Sequence, residues 1–288
     1  MLGIPALGGR LSCSAVLTIL WCYVQCLGGM LSVMKRALAA VVLSLSLAAS
    51  TISAQMVNTL TPKEKAEGWR LLFDGKTPDG WRSARGGGFP ATGWAVKDGT
   101  ITVTETGGEE SGNGGDIVTT RTYQDFELSV DFKTSPGANS GIMYFVDLDL
   151  MPWHDGHGSP IGFEYQVLDD ALHPDAKRGK NGDRTVASLY DMIPAAADKP
   201  INPVGEWNTA RIVVRGQHGE HWLNGVKVLE YDLDSPEFKA ILAESKYHVF
   251  PSYGHGGSGY ILLQDHGFPV SFRNIKIREL PAGSTAGR

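Results

Sequence analysis

Between residues 69 and 277 apolar and polar positions alternate in short runs. Phe126, Leu128, Val130 and Phe132 are separated by Glu127, Ser129 and Asp131. That period of two predicts a strand with one buried and one wet face. Residues 141–146 are apolar at nearly every position and predict a central strand, buried on both sides. Further strands are predicted at 69–73, 162–168, 186–190, 211–215, 220–223, 226–231 and 260–264. Two hairpins are marked by their turns, Lys97-Asp98-Gly99 and Asn224-Gly225, the second being a strong two-residue signal. In the last strand, 270–277, Val270 and Phe272 share one phase while Ile275 and Ile277 take the other. This change of phase predicts a bulge near Arg273-Asn274. Two short helices complete the pattern. One opens at Thr61-Pro62 with Glu64 at the capping-box position, and one opens at Ser235-Pro236 and runs to about Glu244. Many short strands with Gly-containing turns predict an all-β sandwich or barrel. Loops are expected at 86–90, 107–115, 151–160 and 195–204.

The N-terminus changes the counts. From Met34 the chain carries Lys35 and Arg36, an apolar run at 37–49, and small residues ending at Ser53-Ala54. This is the layout of a secretory signal peptide. The run is shorter than the roughly 20 residues a spanning helix needs, although a membrane anchor is its alternative reading. A second apolar stretch at 11–30 suggests that residues 1–33 are a start-site artefact. If both stretches are real, 11–49 can form a helical membrane hairpin. The expected divisions are therefore 1–33, a signal peptide at 34–54, a lead-in helix at 55–67, the main domain at 68–280 and a disordered tail at 281–288. All three cysteines, Cys13, Cys22 and Cys26, precede Met34. The mature chain then has no disulfide framework and must rest on its core. Residues 1–54 hold Arg10, Lys35 and Arg36 and no acid. Three of the 26 basic residues go with them, leaving 23 against 31 acidic, a net charge of −8. That argues against nucleic acid or an anionic membrane as partner. The mature form is expected to be secreted or periplasmic, with no stable membrane span.

The most informative segment is Gly162-Phe-Glu-Tyr-Gln-Val-Leu-Asp-Asp170. Glu164 and Gln166 lie two apart and share a face. Asp169 joins that face if one bulge intervenes. Two carboxylates there can divide acid and base roles if their surroundings separate their pKa values; the bland alternative is a solvated outer face. His173 and Asp175 stand on the loop leaving this strand, where a His can serve as a base or simply be exposed. Trp153, His154 and His157 share one loop, which can bind a metal through His ligands, or a sugar through the Trp, or be surface decoration. His266, at the end of a strand, can face the site or cap its turn. There is no Gly-x-Ser-x-Gly elbow, phosphate loop or His-Glu-x-x-His helix, which argues against a Ser or Cys nucleophile.

Gly68-Trp-Arg-Leu-Leu-Phe-Asp-Gly-Lys76 with Asp79-Gly-Trp81 resembles the opening of the 3-keto-disaccharide hydrolase family. The resemblance continues through Asn139-Ser-Gly-Ile-Met-Tyr-Phe145, Glu164-Tyr-Gln-Val-Leu-Asp169, Ser188-Leu-Tyr-Asp191, Gly205-Glu-Trp-Asn208, Leu263-Gln-Asp-His-Gly267 and Phe272-Arg-Asn-Ile-Lys-Ile277. It implies a concanavalin A-like jelly-roll β-sandwich of two antiparallel sheets, with a carbohydrate as substrate. Laminarinase-like enzymes of that fold carry Glu-x-Asp-x-x-Glu, which Glu164, Gln166 and Asp169 copy in spacing but not in residue type. A retaining mechanism needs its two carboxyls about 5–5.5 Å apart, and the shorter Asp169 departs from that pattern. The family name implies another route, in which a base removes the proton beside a ketone and the C1 substituent leaves. The resemblance then makes Glu164, Asp169, His173 and His266 the catalytic candidates. Either Glu164 or His173 would be the base, Arg184, His266 or a bound metal would stabilise the enolate, and Asp169 would orient a partner. Substrate-binding candidates are Gln166, Trp153, Arg184, Tyr190 and Tyr144. No cofactor is certain. A divalent metal ion is the one candidate, with His154, His157, His173 and Asp175 as its ligands. Two other readings are a non-catalytic carbohydrate-binding module and an ordinary O-glycoside hydrolase.

Overall fold

The computed structural model describes residues 56–109, 111–150 and 160–281. Residues 1–55 and 282–288, and the loop residues Trp153, His154 and His157, lie outside the described residues. The described residues from Val57 on form one compact unit. Two antiparallel sheets form it. The first contains, in spatial order, β11 (Val226–Asp232), β10 (His218–Leu223), β9 (Asn208–Arg215), β6 (Phe126–Thr134), β13 (Val270–Glu279), β4 (Thr100–Val103) and β3 (Trp94–Lys97), with β1 (Arg70–Leu71) also on β13. The second runs β2 (Trp81–Ser83), β5 (Ile117–Thr119), β12 (Tyr260–Leu263), β7 (Asn139–Asp147) and β8 (Ile161–Leu168). This is the all-β sandwich that the strand pattern predicts, with the two antiparallel sheets of the jelly roll that the resemblance implies.

The core lies between the sheets. Phe126, Leu128, Val130 and Phe132 from β6 pack with Ile142, Tyr144, Phe163 and Tyr165 of β7 and β8. The other face of β6 is not wet as expected, because Glu127 is buried beneath neighbouring strands' arginines. It pairs with Arg211 of β9 and takes a 2.8 Å bond from Arg278 Nε of β13. One polar chain crosses the core. His221 of β10 donates from Nδ1 to the Ala187 carbonyl at 2.9 Å, which leaves Nε2 to accept from the Tyr144 hydroxyl at 2.8 Å. Tyr144 in turn bonds the Tyr231 hydroxyl at 2.8 Å. The two sheets are thus bolted by a fully paired network, the condition under which buried polar groups are tolerated.

The bulge expected in the last strand is present. The β13 register shifts between Arg273 and Lys276, and Asn274 has φ +49°. Its amide N–H donates to Asn58 Oδ1 at 2.8 Å, and the Asn58 N–H donates back to Asn274 Oδ1 at 2.6 Å. Asn58 also reaches the Gly99 carbonyl at 2.9 Å. The N-terminal approach is so stitched to the final strand, just ahead of α1 (Pro62–Ala66) and its Thr61/Glu64 capping box. The second helix, α2 (Pro236–Glu244), starts at Ser235, whose hydroxyl accepts from the Phe238 N–H at 3.1 Å. The strand expected at 69–73 shortens to two residues. That expected at 186–190 is replaced by turns, with isolated bridges from Leu189 to Tyr165 and to Ile193. Ala187 at φ +68° and Asp191 at φ +59° break the extended run. Among the described residues, no helix is long and apolar enough to cross a membrane.

Candidate active site

Three strands of the second sheet build a polar floor on its outward face, opposite the core. Cross-strand register sets Met143 against Glu164 and Gly141 against Gln166, and sets Leu262 against Met143. Directly opposed residues share a face, so Asn139, Gly141 and Met143 line up with Glu164 and Gln166. Gln264 follows β12, its N–H donating to the Gly141 carbonyl at 3.1 Å. Met143 and Leu262 belong to a second, smaller apolar cluster with Ala84, Val118 and Val146. This cluster buries the centre of the face, and the polar residues border it. Glu164, Gln166, Asn139 and Gln264 are all buried.

Gly141 brings the polar groups together. A β-carbon there would lie 2.5 Å from Gln264 Oε1 and 2.7 Å from Glu164 Oε1. The two oxygens therefore converge over a position that only a glycine leaves open. Gln166 Oε1 accepts from the Val167 N–H at 2.8 Å, fixing its side chain along the strand.

The segment beyond the edge of β8 supplies a wall. Tyr190 N–H donates to the Glu164 carbonyl at 3.0 Å, placing the ring beside the carboxylate strand. Its hydroxyl donates to Asp175 Oδ2 at 2.8 Å. Arg184 spans Asp175 Oδ1 at 3.0 Å through Nη1 and Asp191 Oδ1 at 2.8 Å through Nε. The Lys246 ammonium lies 4.4 Å from the Tyr190 ring centroid. Burial above all, then the charge of Glu164 and the bond to Asp175, pushes the Tyr190 phenol far above its ordinary value. It stays a protonated donor throughout the working range. Arg184, expected to stabilise an enolate, has its guanidinium committed to the two aspartates.

The structure separates the remaining candidates. Strand β8 stays regular through Leu168. The irregularity expected between Gln166 and Asp169 falls instead on β7, between Tyr144 and Asp147, where Phe145 has φ +54°. Asp169 is buried, with its oxygens accepting from the N–H groups of Gly137 at 2.9 Å, Ala171 at 2.9 Å and Leu172 at 3.1 Å. Burial raises its carboxyl, but these amides outweigh burial and hold it below the usual carboxylate range. Its place is that of a loop clasp. Tyr144 points the other way, into the core bolt, and is fully buried there. Its hydroxyl is held by His221 and Tyr231 across the core, away from the floor, which corrects its candidacy. His173 Nδ1 accepts from the Asp175 N–H at 3.2 Å, and its ring meets Phe268 edge-on with centroids 5.8 Å apart. Burial lowers its pKa, so the ring is neutral with its proton on Nε2. His266 is half-buried on the loop leaving β12, two residues after Gln264. The loops after β8 and β12 thus meet at one end of the floor.

The metal candidates His173 and Asp175 make other bonds, to a backbone amide and to Arg184 and Tyr190. Among the described residues, the one group with metal-ligand spacing is His218, Glu220 and Glu230 on the other sheet. Lys227 already bridges its two glutamates. Asn139, Gly141 and Gln264 were not singled out as site residues by sequence reasoning. The signal was available in Asn139-x-Gly141-x-Met143, whose period-two face is interrupted by a strand glycine.

A two-sheet sandwich with a buried carboxylate and amides on one outward face fits an enzyme that acts on glycosides. The chain belongs to the 3-keto-alpha-glucoside-1,2-lyase-like domain family, whose model matches residues 68–278. It is 38% identical over 247 residues to a 3-keto-disaccharide hydrolase of Bacteroides thetaiotaomicron, covering 80% of this chain and 84% of that one. A candidate glycosyl hydrolase from Parabacteroides distasonis superposes with a TM-score of 0.67 at 35% identity, over 78% of this chain and all of that one. A second from the same organism superposes with a TM-score of 0.54 at 29% identity, over 74% of this chain and 99% of that one. The family and its named relative make this chain an enzyme rather than a binding module.

Proposed function

We propose that the enzyme cleaves 3-keto-glycosides by elimination, with Glu164 as the base. The observation that carries this is the buried Glu164 carboxylate on the outward face of β8, in a chain whose relative is a 3-keto-disaccharide hydrolase. A ketone at C3 acidifies the C2 hydrogen. Glu164 takes that proton, and its bonding pair forms the enolate. The enolate then collapses, C1–O breaks, and the leaving alkoxide is protonated to the free alcohol. Water adds across the resulting C1=C2 bond to complete net hydrolysis. His173, with its proton on Nε2, is the candidate donor to the leaving oxygen, and His266 a candidate for the ketone oxygen. With Asp169 used up by backbone amides, the pair of carboxylates required for direct glycoside hydrolysis is lacking in Glu-x-Gln-x-x-Asp. We read the enzyme as exported through the 34–54 leader.

The test is turnover of a 3-keto-glucoside and of its unoxidised parent by the mature chain, with and without EDTA, beside Glu164→Gln. Wild type should consume only the keto sugar. The variant should lose 10²-fold or more in kcat, the scale of general-base catalysis, and bind the sugar within a few-fold. Equal turnover of the parent glucoside would sink proton abstraction. The EDTA arm reads whether a divalent ion takes part.

A further inference from the structure

Two buried oxygens on the floor have no hydrogen-bond partner among the described residues, Asn139 Oδ1 and Gln264 Oε1. Asn139 is 8% exposed and Gln264 5%. Nearly all buried polar atoms in folded proteins are paired, and an unpaired one destabilises the fold. Here two occur on one face, Gln264 just after β12 and beside Glu164, and Asn139 at the start of β7. Gln264 Oε1 and Glu164 Oε1 meet over Gly141, and Asn139 stands two residues before Gly141 on the same face of β7. Asn139 opens β7, and Gln264, directly after β12, is held by its N–H bond to the Gly141 carbonyl.

The chemistry of these groups selects what fills it. Each amide presents a carbonyl acceptor with an N–H donor beside it. An anion is disfavoured by the Glu164 carboxylate, and an apolar ligand would leave the oxygens unpaired. Neighbouring hydroxyls of a sugar ring, each both donor and acceptor, satisfy both. We propose that Asn139 and Gln264 are the specificity-determining pair of this site, accepting hydrogen bonds from ring hydroxyls of the sugar whose C2–H faces Glu164. This rests on the elimination reading for which carbon is presented, but not for the pairing itself. A site built to bond a hydroxyl rejects the analogue lacking it far more strongly than an apolar pocket rejects an added one.

Near-isosteric variants test it, Gln264→Met and Asn139→Leu in the mature chain. Thermal melting without ligand and calorimetric binding of a 3-keto-glucoside and its parent glucoside would be measured together. Each variant should melt at or above the wild-type temperature, since an orphaned acceptor is gone. Each should bind the sugars at least tenfold more weakly. A lower melting temperature would show that the amides serve the fold. Affinity unchanged within twofold, or no sugar binding by wild type, would equally overturn the pair's role. Weakened binding in the variants, together with a wild type that leaves the keto sugar intact, would refute the elimination and leave the pair standing.

Discussion

At the scale of single residues, the site depends on an absent side chain. Gly141 keeps open the space into which Glu164 and Gln264 reach, and the atoms a β-carbon would meet belong to those two side chains rather than to backbone. Gly141→Ala should therefore fold, since the glutamate and glutamine can swing aside, but the carboxylate would no longer sit where it does. Misplacement by about 1 Å can cost 10²-fold in rate. We expect kcat/KM to fall by that order with the melting temperature changed by only a few degrees. Steady-state kinetics beside a melting curve would check both. The sequence showed Glu164 and Gln166 on one face, because side-chain direction along a strand is a local property. The structure places Tyr144 with Ile142 in the core. That phase was not legible, because residues 141–146 are apolar on both faces. The orphaned oxygens of Asn139 and Gln264 were not legible, because lacking a partner is a fact about neighbours brought together from distant segments.

At the scale of elements, turn chemistry decides which predictions hold. Asn224-Gly225 was legible because both residues accept positive φ, and the bulge at Asn274 because the apolar phase changes across it. The strand expected at 186–190 was not, because its apolar run follows the edge of β8 through backbone bonds from Ala187 and Tyr190 without extended geometry. The loop after β8 is held by Asp169. Replacing Asp169 with Ala would strand three amide donors and should destabilise the enzyme by about 1–3 kcal/mol. The folded-state pKa of Asp169 is depressed, so its contribution is complete above the unfolded value near 4 and disappears as pH falls through the folded value. Urea midpoints at pH 7 and pH 3 should differ less for Asp169→Ala than for wild type.

At the scale of the whole molecule, the two sheets share one titratable bolt. Burial, opposed by the bond to the Ala187 carbonyl, holds the His221 pKa down at about 4. An unfolded histidine titrates near 6.5. Between these values the unfolded chain binds the extra proton, so stability rises with pH through that window and is complete above it. Acidification from pH 7 to pH 4 should remove roughly 3 kcal/mol through this residue. Denaturation midpoints followed across that range should show the slope, and His221→Gln, which keeps a polar partner for Tyr144, should flatten it. That histidine had no company in the sequence to suggest a role; its partners come from β7 and from the 187 turn.

The reciprocal amides of Asn58 and Asn274 have a consequence for maturation. With a leader cut after Ala54, only Gln55, Met56 and Val57 precede the stitch. An aminopeptidase working inward from a terminus at Gln55 would meet folded structure within three residues, so trimming would be self-limiting.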